Sequence, residues 1–310
     1  MGVGRKRYIF AQDKKTRFGS PKFIYLGILA LGSLGAGSWA FWQYSPQAQT
    51  TIGLQSQKPV TSLEPILAAQ ITSWQQAAKN ILFTESVPQE FQQKALKEIS
   101  LLKKDKIIAL TFDDGPWPVT TIQILDILKQ EKIKATFFLL GQPLQNYPQI
   151  AQQVVAQGHA IGNHTWHHWY HKLDATTSAK EIETTAALIY KTTGIKTYLF
   201  RPPGGLLNNG VADYAKRKKY FVALWSSDST DYNRPSVATL VNNVMKNARP
   251  GGMVLMHDGG GDRSHTVKAL PIIIAQLKSR GYKFVTVPEL LEIADTETKT
   301  QVSTKVGTSQ

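Results

Sequence analysis

The chain has 310 residues, 42% of them hydrophobic, and contains no cysteine. This length suffices for a domain with a substantial core, and the lack of cysteine excludes disulfides and thiolate metal sites, so a transition-metal site would need His with Asp or Glu. The net charge is +14, but seven of the cations precede residue 23 and no groove-reading element gathers the others, which argues against a nucleic-acid partner.

An uncharged segment, FIYLGILALGSLGAGSWAFW, occupies residues 23–42. At the rise of an α-helix it is long enough to cross a hydrocarbon core about 30 Å thick. Seven cations precede it and none follows closely, so the positive-inside rule predicts a cytoplasmic N-terminus and an exported C-terminal part. A cleaved signal peptide is the rival interpretation, but the stretch exceeds a typical signal-peptide core and no A-x-A site ends it. We therefore predict a single-pass membrane anchor.

The composition of the remaining chain changes from segment to segment and indicates separate regions. Residues 45–62 are rich in Gln, Ser, Thr and Pro and are typical of a linker, whereas residues 63–83 and 88–102 carry apolar residues at helical spacing. We predict the following segments: a cytoplasmic basic tail (1–22), a transmembrane anchor (23–43), a linker and helical stalk (44–105), a catalytic domain (106–293) and a disordered tail (294–310).

From residue 106 onward, short apolar runs alternate with helical patterns. The runs are IIALTF, ATFFLLG, AIGNHT, YLFRPP, FVALWSSD, GMVLMHD and KFVTV, and each has a helical pattern behind it. Nearly continuous apolar strands that alternate with helices are typical of a parallel sheet covered by helices. We predict an α/β fold, a deformed (β/α)7-type barrel, preceded by the transmembrane helix.

Polar residues follow these strands at their C-terminal ends, where α/β barrels build their sites. Asp113 and Asp114 end the first strand, and adjacent carboxylates repel each other unless a positive group lies beside them. A metal ion that binds one carboxylate and leaves the other free as a base would explain the pair. A solvated pair of turn aspartates is the alternative.

Two histidines follow the third strand. On a helical turn, His164 and His168 would share one face at a metal-ligand spacing, whereas His167 would point elsewhere. With Asp114 they supply two imidazoles and a carboxylate, a set that catalytic zinc sites use while leaving a position open for water. Ordinary surface histidines are the alternative.

Two further strand ends carry chemistry. Arg201 follows the fourth strand and could hold a carboxylate such as Asp113 ionised and in a fixed pose. His257 follows the sixth strand, where a histidine can act as general acid or base if a carboxylate orients it.

Five segments in order, TFDDGP, HTWHH, RPPGG, DSTDY and LMH, resemble the motifs of the polysaccharide deacetylases of carbohydrate esterase family four, the NodB homology domain. The resemblance covers residues 106–293. It implies these catalytic residues: Asp113 as base, Arg201 as its partner, His257 as acid, and Asp231, in preference to Asp228, as the partner of His257. It implies Asp114, His164 and His168 as metal ligands, Thr165 as a brace of the histidine loop, and Pro203, Gly204, Tyr232 and Leu255 as substrate-binding residues.

The sequence departs from the family pattern at three positions. Trp169 replaces a proline, Gly204 replaces an aromatic residue and Tyr232 replaces a tryptophan. None of these changes removes a charged or metal-binding group, and Gly204 keeps the backbone N–H that in the family helps to hold the oxyanion. We therefore expect activity to survive, but substrate preference does not carry over.

The resemblance implies a metal-dependent hydrolase that removes N-acetyl groups from an extracytoplasmic polysaccharide. Peptidoglycan is the first candidate, followed by a secreted poly-N-acetylglucosamine or chitin-like polymer and an O-acetylated glycan. One divalent ion is expected, zinc first, with cobalt, nickel or manganese able to use the same ligands. A silent cell-wall binding protein is the non-enzymatic alternative. An iron oxygenase is disfavoured because Asp114 precedes His164 by fifty residues within alternating strands and helices.

Overall fold

A computed structural model describes residues 87–103 and 105–307, with side chains as far as residue 302. The predicted tail, anchor, linker and first stalk helix, residues 1–86, lie outside the described residues. Within the described part of the chain, no helix combines the length and apolar character that a membrane span requires.

The elements alternate along the chain as predicted. The strands are β1 (Ala95–Leu96), β2 (Ile107–Asp113), β3 (Thr136–Leu139), β4 (Ala160–Asn163), β5 (Leu199–Phe200), β6 (Phe221–Ala223), β7 (Ser227–Asp228), β8 (Gly252–His257) and β9 (Lys283–Phe284). The helices are α1 (Thr120–Gln130), α2 (Gly141–Asn146), α3 (Pro148–Ala156), α4 (Ala175–Thr193), α5 (Val211–Arg217), α6 (Val237–Asn247), α7 (Ser264–Ser279) and α8 (Val287–Gly307).

All pairs of these strands are parallel, in the order β1-β6-β5-β4-β3-β2-β8-β7, with β9 beside the start of β2. The predicted fifth strand is divided. Its first part, β6, pairs with β5, and after residues 224–226 its second part, β7, pairs with β8. The chain itself therefore connects the two arms of the sheet. The parallel α/β fold is confirmed, and this arrangement fits a deformed (β/α)7 barrel.

The core explains why these segments fold as they do. Every residue of β2 is buried, as expected for a strand that is covered on both faces, and the ring of Phe112 stacks on that of Phe137 with centroids 5.1 Å apart. On α1, the buried Thr121, Ile124 and Leu128 follow the helical period and pack towards the sheet. The strand ends are thereby fixed on a rigid frame.

The predicted stalk helix at residues 88–102 is wrong. This segment forms a 3₁₀ turn at Gln89–Phe91 and then β1, which pairs with β6. Phe91 packs edge-on against Phe221, and the Ile99 N–H donates to the Gly251 carbonyl at 2.9 Å. The open edge of β6 offers unpaired backbone groups, and pairing with them outweighs the helical preference of an exposed amphipathic segment.

Two helices differ from the sequence prediction. The pattern LQNYPQIAQQVVAQ forms two helices because Pro148, which has no N–H to donate, starts α3 directly after α2. The segment from residue 294, predicted to be a disordered tail, continues α8 as far as Gly307. The buried Glu297 carboxylate accepts from the N–H of Leu102 at 2.6 Å, which ties this helix to the segment before β2.

Candidate metal and catalytic site

The predicted site residues meet because the strands that carry them are parallel neighbours. Asp113 lies in register with His257 on one side and with Phe138 on the other. Asn163, which precedes His164, lies in register with Phe200, which precedes Arg201. The carboxyl ends of β2, β4, β5 and β8 therefore form one edge, the usual place for a site in an α/β fold.

Asp114, His164 and His168 form a cluster with the composition of a metal site. One ligand atom from each lies within 4.8 Å of the others. The Oδ1 atom of Asp114 is 3.6 Å from Nε2 of His164 and 3.4 Å from Nε2 of His168, and it is buried without a hydrogen-bond partner. A buried carboxylate oxygen without a partner is unfavourable, and a divalent cation is the partner that this donor set fits. The residues present therefore fit a metal ion.

The His164 ring is held in the tautomer that metal binding requires. Its Nδ1 lies 2.6 Å from the carbonyl oxygen of Arg201, which can only accept, so Nδ1 carries the proton and Nε2 keeps a lone pair. Burial, with the neighbouring His168 acting in the same direction, lowers the pKa of His164 to about 3. The imidazole is therefore neutral at physiological pH, as a ligand must be.

The predicted helical turn that would align the two histidines is wrong. Residues 164–174 form a loop, in which Thr165 and His168 have φ of 72° and 61°. The Thr165 N–H donates to Asn163 Oδ1 at 2.9 Å, and the Thr165 hydroxyl oxygen accepts from the N–H of His168 at 3.2 Å. These local bonds curl the loop back, so that both imidazoles reach Asp114. Thr165 has the bracing contact that the resemblance implies.

Glu181 on α4 is part of this loop's support, and sequence reasoning missed it. Its buried Oε2 accepts from the N–H groups of Trp166 (3.1 Å) and His167 (2.8 Å), and Oε1 contacts Nδ1 of His167. His167 is thus turned away from the metal cluster, as expected. The sequence feature that could have indicated this role is an acidic residue on the buried face of α4, one position before Ile182.

Asp113 is bound by Arg201 through one carboxylate oxygen and faces the candidate metal ligands with the other. The Nη1 of Arg201 donates to Asp113 Oδ1 at 2.7 Å, whereas Oδ2 remains 3.7 Å from Nε2 of His164. Burial raises the pKa of Asp113, although the Arg201 guanidinium acts in the opposite direction. The carboxylate therefore has one oxygen fixed, one oxygen directed at the cluster, and an increased affinity for a proton.

His257 and Asp231 form a second pair across the site. The Nδ1–H of His257 donates to Asp231 Oδ1 at 2.6 Å, and its backbone N–H donates to Oδ2 at 2.8 Å. Burial alone would lower the pKa of His257, but the Asp231 carboxylate, together with Asp114 and Asp113, outweighs burial and raises that pKa to about 9. The alternative carboxylate, Asp228, instead accepts from Thr230 N–H and the Tyr232 hydroxyl. The geometry thus agrees with the preference for Asp231.

A second carboxylate that sequence reasoning missed is Asp258. It is fully buried, and burial raises its pKa to about 7. Its Oδ2 accepts from the Thr121 hydroxyl at 2.6 Å, and its N–H donates to the Asp113 carbonyl at 3.0 Å. A Cβ at position 115 would collide with this carboxylate, which explains the glycine after Asp114. Asp258 therefore supports the turn that carries both site aspartates.

The four predicted substrate-binding residues lie on the segments that carry Arg201 and His257 or beside the His257 ring. Pro203 is buried, and Gly204 has a φ of 60° in the turn after Arg201. Leu255 is buried two residues before His257, so it shares a face of the sheet with that histidine. Tyr232 is 46% exposed, with its ring centroid 5.6 Å from that of His257. Their contacts with a substrate remain a prediction.

The contacts of Glu181 generate a testable prediction. Substitution of Glu181 by Ala leaves two buried N–H groups in the histidine loop unpaired, and we expect zinc affinity to fall by roughly 10- to 100-fold. The measurement is a competition titration with a chromophoric chelator. Glu183→Ala is the matched control, since Glu183 lies on the same helix in an exposed ion pair with Lys218. Equal affinities for the Glu181 variant and the parent protein would contradict the supporting role.

Comparison with known proteins agrees with this geometry. A family model described as polysaccharide deacetylase matches residues 102–223. A peptidoglycan-N-acetylglucosamine deacetylase of Bacillus cereus is 46% identical over 189 residues, which cover 60% of this chain and 89% of that protein. The crystal structure of the Bc1960 peptidoglycan N-acetylglucosamine deacetylase superposes with a TM-score of 0.61 at 36% identity, covering 65% of this chain and 94% of the other. A CE4 family pseudoenzyme from Bacillus anthracis superposes with a TM-score of 0.59 at 30% identity, covering 64% and 69%. The chain belongs to the polysaccharide deacetylase family.

Proposed function

We propose that this protein is a metal-dependent hydrolase that removes acetyl groups from the amino sugars of peptidoglycan. The observation that carries the proposal is the convergence of three groups at a single edge of the sheet: an aspartate held by Arg201, the Asp114–His164–His168 cluster, and a histidine paired with a carboxylate. The relative from Bacillus cereus, named for peptidoglycan N-acetylglucosamine, supports this substrate. A chitin-like polymer or an O-acetylated glycan is the alternative within the same chemistry.

Asp114, His164 and His168 would hold the ion, and zinc is the ion that we propose, with cobalt, nickel or manganese as alternatives. When bound, such an ion polarises the acetamide carbonyl and increases the acidity of water. The donor set contains no sulfur and only one carboxylate, which suits a borderline ion better than calcium or magnesium.

Asp113 would act as the general base. Its Oδ1 is occupied by Arg201, so Oδ2 is the atom that accepts the proton of the attacking water. The pKa raised by burial strengthens this carboxylate as a base, and the fixed guanidinium prevents the side chain from turning away. Arg201 therefore positions the base without touching the reacting atoms.

His257 would act as the general acid. Because Nδ1 is held by Asp231, a protonated His257 presents Nε2–H to the nitrogen of the scissile amide. Proton transfer to that nitrogen accompanies cleavage of the C–N bond, and the products are acetate and a free amino sugar. The backbone N–H of Gly204 would stabilise the oxyanion, and Leu255 would contact the acetyl methyl group.

A silent binding protein is the competing function, since the same fold occurs in a pseudoenzyme. The specific observation against it is the polar arrangement of the site. A buried arginine that fixes one oxygen of Asp113, and a buried aspartate that holds the ring of His257, have little use in a surface that only binds a glycan. The O-acetyl alternative needs the same groups and is separated from the main proposal only by substrate.

The first test is acetate release from peptidoglycan and from chitin oligomers by the zinc-loaded protein, with and without chelator. We expect chelator-sensitive release, and we expect Asp113→Asn to lower kcat by roughly 10²- to 10⁴-fold because the base is lost while the ligands remain. Asp126→Asn, an exposed aspartate on α1, is the matched control. A variant that binds zinc and keeps most of its activity would refute the role of Asp113. Zinc binding by the parent protein without release from any glycan would favour the silent binding protein.

The second test is the pH dependence of kcat/KM. The acid form of His257 is present below its pKa, so activity is lost as the pH rises through that value. Because Asp231 raises this pKa, Asp231→Asn should move the alkaline limb to lower pH as well as reduce the plateau. Asp228→Asn, three residues earlier in the chain, should leave the limb in place. An unmoved limb in the Asp231 variant would show that another group titrates there.

We also propose that residues 23–42 anchor the protein in the membrane, with the catalytic domain on the outer side. The support is the uncharged length of this segment and the basic residues before it. Such a tether would keep the domain near polymers that surround the membrane, which agrees with peptidoglycan as substrate.

Cell fractionation tests the anchor. We expect the full chain in the membrane fraction, released by detergent but not by high salt, and digested by protease added to intact spheroplasts. A chain that lacks residues 1–43 is the control and should remain in the soluble fraction. A shortened, soluble product from the full gene would instead indicate a cleaved signal peptide.

A further inference from the structure

Two exposed tyrosines contact histidines of the site, one at His168 and one at His257. Tyr170, in the loop after the metal-type histidines, is 53% exposed, and its ring meets that of His168 at 89° with centroids 5.0 Å apart. Tyr232, on the other side, is 46% exposed and meets the ring of His257 at 79°. An exposed aromatic ring therefore lies next to His168 in the candidate metal cluster, and another lies next to His257.

The position of Tyr170 is linked to the glycine at residue 204. A Cβ on Gly204 would lie 2.7 Å from Cε1 and 3.3 Å from Cδ1 of the Tyr170 ring, so the tyrosine occupies the space of a side chain at 204. Gly204 also has a φ of 60°, which disfavours most other residues. One aromatic ring fits here, and in this chain it comes from the histidine loop and not from the turn after Arg201.

We propose that Tyr170 is a specificity-determining residue that contacts the pyranose ring of the sugar whose acetyl group is cleaved. This inference rests on the proposed deacetylase function. The C–H groups of a pyranose form an apolar face that packs well on an aromatic ring, and tyrosine offers such a face at a small cost in side-chain entropy. Tyr232 would contact the same sugar from the side of the site where His257 lies.

A purely supporting role for Tyr170 makes a different prediction. If the ring only buttresses His168, its removal should weaken metal binding and should reduce the hydrolysis of every acetylated substrate, large or small. If it contacts the sugar, its removal should affect only substrates that contain a sugar. The two roles are therefore separated by zinc affinity and by a small substrate without a sugar.

The experiment compares Tyr170→Ala and Tyr170→Phe with the parent full chain on the N-acetylglucosamine pentamer and on an aryl acetate ester. For Tyr170→Ala we expect KM for the pentamer to rise roughly three- to tenfold with a small change in kcat. The aryl ester rate and the zinc affinity should not change. Tyr170→Phe should behave as the parent, because the contact needs the ring and not the hydroxyl. Tyr190→Ala, a comparably exposed tyrosine on α4, is the matched control.

Binding supplies a readout that does not need turnover. In the Asp113→Asn background, calorimetry should show weaker binding of the pentamer when Tyr170 is also replaced by Ala, by a similar factor. This separates the two proposals, because a protein that releases no acetate can still show the difference in binding. An unchanged pentamer KM and Kd in Tyr170→Ala, or equal losses on the pentamer and the aryl ester with reduced zinc affinity, would overturn the assignment.

Discussion

The buried guanidinium of Arg201 is the interaction on which the site depends. The side chain has no exposed surface, and it donates to the Asp113 carboxylate and to the carbonyls of Ala223 and Leu224. Its own carbonyl accepts from the ring of His164. An unpaired charge here would be strongly unfavourable, so the arginine requires each of these partners to remain in place. One residue thus couples the end of β2, the loop after β4 and the strand β6, and it holds Asp113 and His164 at a fixed distance from each other.

The charge balance of the site explains why a cation belongs in it. Asp113, Asp114 and Asp258 all lie near the end of β2, and within the described part of the chain Arg201 is the one arginine or lysine that forms an ion pair with any of them. The two site aspartates contribute to the raised pKa of Asp258, after burial, and both add to that of His257. Excess negative charge favours the protonated forms of nearby titratable groups such as Asp258 and His257. A divalent ion would reduce this excess, and His257 would then give up its proton more easily.

The sequence alone was sufficient to predict the parallel sheet and to identify the residues that meet at its edge. Alternating apolar runs and helical patterns predict parallel strands, and the carboxyl ends of parallel strands meet by geometry alone. Asp114, His164 and His168 were therefore predictable as a cluster, although for a wrong local reason. The loop that joins the histidines depends on left-handed backbone at Thr165 and His168, which no helical or strand period encodes.

The residues that the sequence did not indicate act through tertiary contacts. Glu181 is remote from the motifs, and its role arises only when α4 brings it beneath the histidine loop. The same holds for the segment at residues 88–102, whose amphipathic pattern predicts a helix until the open edge of β6 is available to pair with it. In both cases the outcome depends on backbone groups that need a partner in the folded protein, and only for residues 88–102 does this override local helical propensity.

Two of the three departures from the family pattern, at residues 169 and 204, are connected through the histidine loop. Trp169, in place of a proline, stacks on the ring of His167 with centroids 4.2 Å apart and planes 5° from parallel, and His167 is bound by Glu181. The stack can replace the rigidity that a proline would give, and the next residue, Tyr170, contacts the ring of His168. Tyr170 then covers Gly204, the second departure. In this structure the loop that carries Trp169 and the turn that carries Gly204 are therefore in contact through Tyr170. Arg201 holds Asp113 and His164 in place, whereas this loop carries Tyr170. Under the proposed function, substrate preference would therefore change at this loop without disturbing the catalytic groups.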